Sequence, residues 1–523
     1  MPGHIIQCPY CFGKFDDAEV HFRMETVFNS EDDIEFIHPE TGKTYYSVDD
    51  VNGDQMLSSG DRARLIGQFR LFSGFVKRED PKYEQFWERF GRTTEMPVRG
   101  YDDQVDPWLR RVYDPHNPDD QPFFTPGNEV TDDSGLLVKV TDACGRETSR
   151  RVCPYCHNPL PGLYGKYPVK FISVIGDTGA GKTVYLSQLV QYLPDDLVKC
   201  GIAAQPTSTY EYRYREVNPV EMGKRLPPAT PPHVFQQPLC FDLAYTDDAG
   251  REHDMTMVFY DIAGENCRMS RDANVKRFGP FIMHSDGILL LVQPDQFDYL
   301  PSPENGPQAV LTVVHNLFGS HAQDLERIPV AVCISKGDMI APLILSGPIP
   351  PIEYLKKSGG GYRPVFNADS YNTLYEPVYQ FVDRRAGTLL NTLSVQYPIH
   401  DLFLVAAIGT TVKEHEDEDG KFFAPVTPPI PQRLIEPLLW MLNRFGFIGS
   451  TGFINDPNDW GCPQCGRRLH TTQEFCPDCK RDRNGRWVCP LCGTVNEAGA
   501  TQCSHTEKGF LGMTKRCKGA PVR

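Results

Sequence analysis

Eight consecutive residues, Gly176-Asp177-Thr178-Gly179-Ala180-Gly181-Lys182-Thr183, satisfy G-x-x-x-x-G-K-[ST], the spacing of a loop that wraps phosphate. Glycines lack a Cβ, so successive backbone N–H groups can curl around a phosphate at a helix N-terminus. In such a loop Lys182 neutralises the β and γ oxygens and the Thr183 hydroxyl is a ligand for magnesium. The chemistry requires a strand before the loop and a helix after it. VKFISVI and KTVYLSQLVQYL supply both, which argues against a chance Gly-rich turn. Alone, the motif specifies a nucleoside triphosphate and not its base.

Three later segments fall at the ends of apolar runs. Asp261-Ile262-Ala263-Gly264 closes VFYDIAG as a D-x-x-G, where the Asp can hold a magnesium-bound water and the Gly264 N–H can sense a γ-phosphate. Ser335-Lys336-Gly337-Asp338 follows AVCIS and is similar to the [NT]-K-x-D motif of GTPases. Asp338 would accept from guanine N1 and N2 while the Lys336 stem covers the base; adenine offers no such pair of donors. Ala406-Ala407-Ile408-Gly409 closes FLV, where backbone N–H could approach guanine O6. Each short motif could be a plain surface turn. Their order on alternating strands and helices makes the set specific and favours GTP over ATP.

The seventeen cysteines give a second chemistry, since twelve stand in C-x-x-C pairs or as their spaced companions. In a reducing compartment that pattern reads as metal ligation. Cys462-x2-Cys465-x10-Cys476-x2-Cys479 has the spacing of a four-thiolate zinc ribbon. Cys489-x2-Cys492-x10-Cys503 follows, with Cys517 as the fourth ligand and His505 as the alternative. Cys8 and Cys11 share the wording C-P-Y-C with Cys153 and Cys156, which predicts one ribbon split by a long insertion; two half-sites completed by another chain are the alternative. The remaining Cys144, Cys200, Cys240, Cys267 and Cys333 read as small apolar residues.

These residues need elements to hold them. From Pro168 strands alternate with helices: FQQPLCFDLAYT and DMTMVFYDI read as adjacent strands, and GILLLVQP, IPVAVCIS and DLFLVAAIG as later buried ones. The predicted fold class is α/β, a P-loop NTPase domain with a mainly parallel sheet plus zinc-ribbon modules and an N-terminal insertion domain. Expected domains are 1–165 (split ribbon enclosing the insertion), 166–450 (nucleotide domain), 456–485 (zinc ribbon) and 486–523 (second zinc-finger-like module). Inside the insertion, DDIEFIHPETGKTYYSV predicts a hairpin turning at Thr41-Gly42, and DRARLIGQFRLFSGFV and PKYEQFWERF predict helices.

With 523 residues and 40% hydrophobic content the chain can bury a large core. A net charge of -15 argues against broad nucleic-acid or anionic-membrane binding. The tail from Trp460 carries eleven Lys and Arg against five Asp and Glu; two four-thiolate zinc centres would offset most of that excess, so a solvated surface explains it better than a nucleic-acid face. No apolar run approaches the roughly 18 to 20 residues of a membrane span, and MPGHIIQCPYC lacks a leader pattern, so the expectation is cytoplasmic.

Lys166 to about Phe447 resembles a GTPase of the translation-factor-related class, and CPYCHNPLP followed by YPVKFISVIGDTGAGKTVYLSQL resembles the bacterial double-GTPase family, which carries a zinc knuckle ahead of its phosphate loop. The resemblance implies a bacterial GTPase that works beside protein partners in a regulatory or conflict system. It implies a first-switch threonine, best matched by Thr230, with Thr207 and Thr209 less well placed and a plain loop threonine as the alternative. Glu265 stands where small GTPases often carry a water-positioning Gln, which implies slow turnover. Ser335 replaces the usual Asn or Thr, and Thr178 replaces a glycine and could crowd an incoming arginine. The run from Trp487 through Cys489, Cys492, Asn496 and Cys503 resembles a Ran-binding-protein-type zinc finger, with its terminal C-x-x-C broken by Thr506; Trp487 serves either partner recognition or packing. The functional expectation is a magnesium-dependent GTP-binding and GTP-hydrolysing switch. The alternatives are a weakly catalytic scaffold recruiting partners through its zinc modules, and an ATPase.

Overall fold

The computed structural model describes residues 4–90, 104–109, 127–142, 144–230, 234–263, 266, 272–297, 306–357, 359–418, 420–451, 460–464, 468–469, 474–476, 479–508 and 514–521. Its centre is a seven-stranded sheet of β1 (Val169–Gly176), β2 (Ala203–Pro206), β3 (Leu239–Thr246), β4 (Glu252–Asp261), β5 (Gly287–Val292), β6 (Val330–Ile334) and β7 (His400–Leu404), in the order β2-β3-β4-β1-β5-β6-β7. The pairs β4·β1, β1·β5, β5·β6 and β6·β7 are parallel, and β2·β3 and β3·β4 antiparallel. The strands are continuous apolar runs because both faces are covered: every residue of GILLLV and VAVCI is buried.

Alternate side chains divide between two cores. Phe171, Ile175, Tyr260, Ile288, Leu290, Val332 and Leu404 enter one. Ile172, Val174, Phe259, Leu289, Leu291, Cys333 and Phe403 enter the other, as the two-residue period of a strand requires. The helices are α1 (Lys182–Val198), α2 (Tyr210–Val217), α3 (Asp272–Met283), α4 (Pro307–Phe318), α5 (Gly337–Ile344), α6 (Ala368–Gln396, broken at Ala386) and α7 (Glu436–Arg444). α1 buries Tyr185, Leu186, Leu189, Leu193 and Leu197 at helical spacing.

The first core does not stop at the nucleotide domain. It runs without a break into the N-terminal segment through Ile6, Phe12, Phe22, Tyr83, Trp87 and Phe90. There Ile5–Gln7 pairs with Lys14–Asp16, and Arg151–Val152 pairs with His21–Arg23, so the two C-P-Y-C segments meet. A buried ion cluster supports them: Arg23 bonds Asp80 at 2.7 Å, and His157 Nδ1 lies 2.9 Å from the same carboxylate. The insertion holds helices at Ser59–Ser73 and Pro81–Glu88 and a two-stranded pair, Phe36–Ile37 with Thr44–Tyr45, turning where Gly42 takes φ +69°. A small separate core of Ile34, Tyr45, Val51, Leu65 and Phe69 sits under that hairpin. Among the described residues no helix is long and apolar enough to cross a membrane.

Asp401 on β7 gives a pH-dependent expectation. Burial pushes its carboxyl up to about 6, against the pull of the Arg444 guanidinium and the Tyr371 hydroxyl that donates to it. Between pH 4 and 6 the folded chain therefore keeps a proton that the unfolded chain has released, and stability falls as pH rises through that window. Asp401→Asn should raise the melting temperature at pH 7.5, by up to about 3 kcal/mol of stability, and leave it nearly unchanged at pH 4. Equal shifts at both pH values would refute the burial cost.

Candidate functional site

The phosphate loop is shaped by two positions. Gly176 ends β1 at φ +154°, and a Cβ there would meet the Leu291 carbonyl oxygen at 2.3 Å. Gly181 takes φ +85° as the residue before α1 and turns the chain into the helix. Lys182 is buried, and its Nζ donates to the carbonyl oxygens of Gly176 at 3.0 Å and Asp177 at 3.1 Å. Its charge is thus held against the loop. The Asp177 carboxylate accepts from the N–H groups of Thr178 and Gly306, tying the loop to the start of α4.

Three oxygens from distant segments converge at the first turn of α1. Thr230 Oγ1 lies 2.8 Å from Thr183 Oγ1 and donates to Asp261 Oδ2 at 2.9 Å, and Thr183 Oγ1 approaches the same oxygen at 3.5 Å. Thr207 instead bonds the Cys240 carbonyl oxygen, and Thr209 precedes α2, so neither joins the group. Burial pushes the Asp261 carboxyl up, opposed by the Lys182 charge and by hydroxyls from Thr230, Tyr214 and Thr183. Asp261 Oδ1 is buried with no hydrogen-bond partner among the described residues. An orphaned carboxylate oxygen beside two threonine hydroxyls is the hard-oxygen donor set that fits magnesium. No motif points to Tyr214, whose hydroxyl donates to Asp261 Oδ2 at 3.2 Å. It is one of three tyrosines in YEYRY on α2, and only the placement of α2 distinguishes it.

The base end lies on the next strands. Ser335 is buried, with its hydroxyl on the Val292 carbonyl oxygen at 3.3 Å. Lys336 takes φ +53° and donates to Gln293 Oε1 at 2.7 Å. Burial pushes the Asp338 carboxyl up. The Gly337 N–H bonds the Val405 carbonyl oxygen, which sets Asp338 beside Ala406 and Ala407 at the end of β7. A cleft of about 1100 Å³ joins the phosphate loop, Thr230, Ser335, Asp338 and Ala407. It is also lined by a hairpin, Val412–Asp417 with Gly420–Pro425, that the sequence reading missed. Leu226 N–H bonds Phe423 O, and Arg225 bonds both Asp417 oxygens and lies 4.8 Å over the Phe422 ring, so the hairpin holds the chain that leads to Thr230. Gly264 and Glu265 lie outside the described residues.

Residues 170–350 match the family model described as Double-GTPase 2. They form a double-GTPase-like P-loop GTPase domain. The curated protein described as "Putative ESX-1 scaffolding and assembly protein SaeC", from Mycolicibacterium smegmatis, is 24% identical over 330 residues, which is 57% of this chain and 80% of that protein. Among solved structures, Aquifex aeolicus Era bound to GDP and AlF4− aligns at 12% identity with a TM-score of 0.23, over 55% of this chain and 60% of that one. The S. cerevisiae Ski7 GTPase-like domain bound to GTP aligns at 13% with a TM-score of 0.24, over 46% of this chain and 43% of that one. The chain thus spans less than two thirds of either structure, and superpositions at such TM-scores add no weight to the family match.

Beside the double-GTPase-like domain stand three cysteine groups. The Sγ atoms of Cys8, Cys11, Cys153 and Cys156 lie within 4.8 Å of one another, with Cys8 3.7 Å from Cys156 and Cys11 3.7 Å from Cys153. Backbone N–H groups of Tyr10 and Tyr155 donate to Cys8 and Cys153 sulfur, as knuckles do. Cys489, Cys492, Cys503 and Cys517 make the second group, and the His505 backbone N–H donates to Cys503 sulfur. Cys462, Cys476 and Cys479 make the third; Cys465 lies outside the described residues. Clustered thiols at this spacing could hold zinc. Trp487 is fully buried, with Nε1 on the Ala500 carbonyl oxygen, so its ring packs the module and offers no recognition face. Of the other cysteines, Cys200, Cys240 and Cys333 are buried and Cys144 partly so; Cys267 lies outside the described residues.

Proposed function

We propose that this protein is a magnesium-dependent, GTP-binding and slowly GTP-hydrolysing switch that acts on protein partners. The observation that carries the reading is the convergence of Thr183, Thr230 and Asp261 beside Lys182, at one end of a cleft whose other end holds Asp338 and Ala407. Magnesium held by Thr183, Thr230 and Asp261 would offset charge on the β and γ oxygens. Lys182 and the N–H groups of Gly176 to Thr183 bind and orient the phosphates. Ser335, Lys336 and Asp338, with Ala406 and Ala407, select guanine. Thr230, Gly264 and Glu265 sense the γ-phosphate, and Glu265 orients the attacking water at the cost of added negative charge, which keeps turnover slow.

The similarity to a protein described by scaffolding and assembly favours a second element of the reading: the nucleotide state gates partner recruitment, with the cysteine modules, held by zinc, as docking parts. Phosphate release measured with GTP and with ATP, each with and without magnesium, tests the catalytic part. Release from ATP at an equal rate would overturn the guanine assignment, and no release from either would leave a nucleotide-gated scaffold without catalysis.

Base choice has its own expected result. Asp338→Asn should lower GTP affinity about 5- to 150-fold, the effect of ~1–3 kcal/mol for an unmet hydrogen bond, and should favour xanthosine triphosphate, whose O2 acceptor and N1–H suit an amide. Competition binding of the two nucleotides reads this directly. An unchanged preference for GTP would place the base elsewhere.

A further inference from the structure

The Cys8–Cys11 knuckle is built into the nucleotide site's own supports. Tyr260, the residue before Asp261, donates its hydroxyl to the Pro9 carbonyl oxygen at 2.7 Å, between the two cysteines. Phe12, held at φ +59°, packs edge-on against Phe171, Tyr260 and Phe281 at 5.6, 5.9 and 5.2 Å and stacks on His284 at 4.4 Å. Tyr10 meets Phe235 at 6.3 Å.

Phe235 follows Thr230 by five residues, and its ring lies 4.8 Å from Phe90, 5.8 Å from Trp87 and 4.6 Å from Phe281. Phe278 and Phe281 belong to α3, the helix after the D-x-x-G segment, and Phe278 lies 5.3 Å from Phe90. Both segments that would respond to a γ-phosphate therefore send rings into one cluster with the N-terminal segment, and the knuckle forms part of its wall. Packed clusters of this kind shift between discrete arrangements and do not deform gradually. The arrangement seen here has Thr230 closed on Thr183 and Asp261.

We propose that the Cys8, Cys11, Cys153 and Cys156 site is linked to the nucleotide state: a thiophilic metal held there and a triphosphate bound with Thr230 closed stabilise each other. The inference rests on the nucleotide reading above. Linkage is reciprocal, so whatever the metal does to nucleotide affinity, the nucleotide does to metal affinity by the same factor. A structural ribbon that only pinned the N-terminus would show no such dependence.

The test uses the full chain loaded with zinc. It is challenged with a chelator that spares magnesium, such as TPEN, in the presence of N-ethylmaleimide, with magnesium and either GDP or a non-hydrolysable GTP analogue. Alkylation is followed residue by residue by mass spectrometry. Cys8, Cys11, Cys153 and Cys156 should be modified at least about fivefold more slowly with the triphosphate, the lower end of usual coupling, while Cys489, Cys492, Cys503 and Cys517 should react alike in both states. Tyr260→Phe removes only the bond to Pro9, and Phe235→Leu removes the connecting ring; a reduced ratio in either supports the route. One rate in both states, or a slowing shared by the tail cysteines, would overturn the linkage, as would a ratio unchanged in both variants. Parallel binding measurements separate the two claims: both nucleotides bound with equal alkylation defeats the linkage alone, whereas neither bound defeats the nucleotide reading and the linkage together.

Discussion

Lys182→Ala should weaken triphosphate binding and lower GTP turnover by at least about 100- to 1000-fold, the range seen in kcat when one preorganised donor is removed from a developing negative charge. Lys182 is the cation that the structure holds directly against the phosphate loop, through the carbonyl oxygens of Gly176 and Asp177. The substitution truncates a side chain at the first turn of α1 and leaves the apolar face of that helix, Leu186, Leu189 and Leu193, in place. Circular dichroism and melting temperature should therefore stay close to those of the parent. Retained hydrolysis in a folded variant would remove the phosphate-loop assignment.

Metal removal should have the other large effect. Twelve thiolates in three groups predict three zinc ions per chain by elemental analysis. Structural zinc in small peptides contributes about 10–16 kcal/mol, and among the described residues of the tail the buried clusters are small: Trp460 with Cys462, Cys476 and Cys479, and Trp487 with Cys489 and Cys503. Chelation should unfold the tail from Trp460 and loosen the knuckles at Cys8–Cys11 and Cys153–Cys156 while the central sheet persists, seen as loss of amide protection confined to those segments. Since Cys517 Sγ lies 3.8 Å from Cys489 Sγ, Cys517→Ser should lose the zinc of the Cys489, Cys492 and Cys503 group and His505→Ala should keep it. The reverse pattern would assign the fourth ligand to His505, and a count near two would mark that module as metal-free.

What could be read from the sequence divides along a physical line. The phosphate loop was legible because its chemistry is local: Gly176 to Thr183 are consecutive, and the glycines announce the backbone they require. The strands were legible because GILLLV and VAVCI are continuous apolar runs that only a sheet covered on both faces accepts. Tyr214 was not, because its hydroxyl reaches Asp261 across 47 residues and nothing in YEYRY marks which ring turns inward. The Val412–Pro425 hairpin was missed because its sequence, VKEHEDEDGKFFAP, is acidic and exposed, without the apolar alternation that a strand on a core would show. The expected division at residue 165 also reads differently in three dimensions. Phe12, Trp87 and Phe90 lie in the same core as Phe171 and Tyr260, a merger that composition could not reveal because each side carries its own plausible apolar set.

The distance along the chain between Cys8 and Cys156, 148 residues, bears on how the molecule comes into being. At synthesis rates of about 5–20 residues per second, the first cysteine pair waits on the order of 7–30 seconds before the second emerges. The strands that bury its neighbours come later still. During that interval Cys8 and Cys11 form half a metal site, and Phe12, Tyr10 and Ile6 lack the surface that covers them. Such long-range pairing slows folding. A nascent chain of this design depends on a held-open, reduced state until the ribosome has passed β5, and a chain begun at residue 166 would leave Phe171 and Tyr260 without the Phe12 ring that packs on them. Its solubility when expressed alone should be poor for that reason, even though it contains every residue of the nucleotide site.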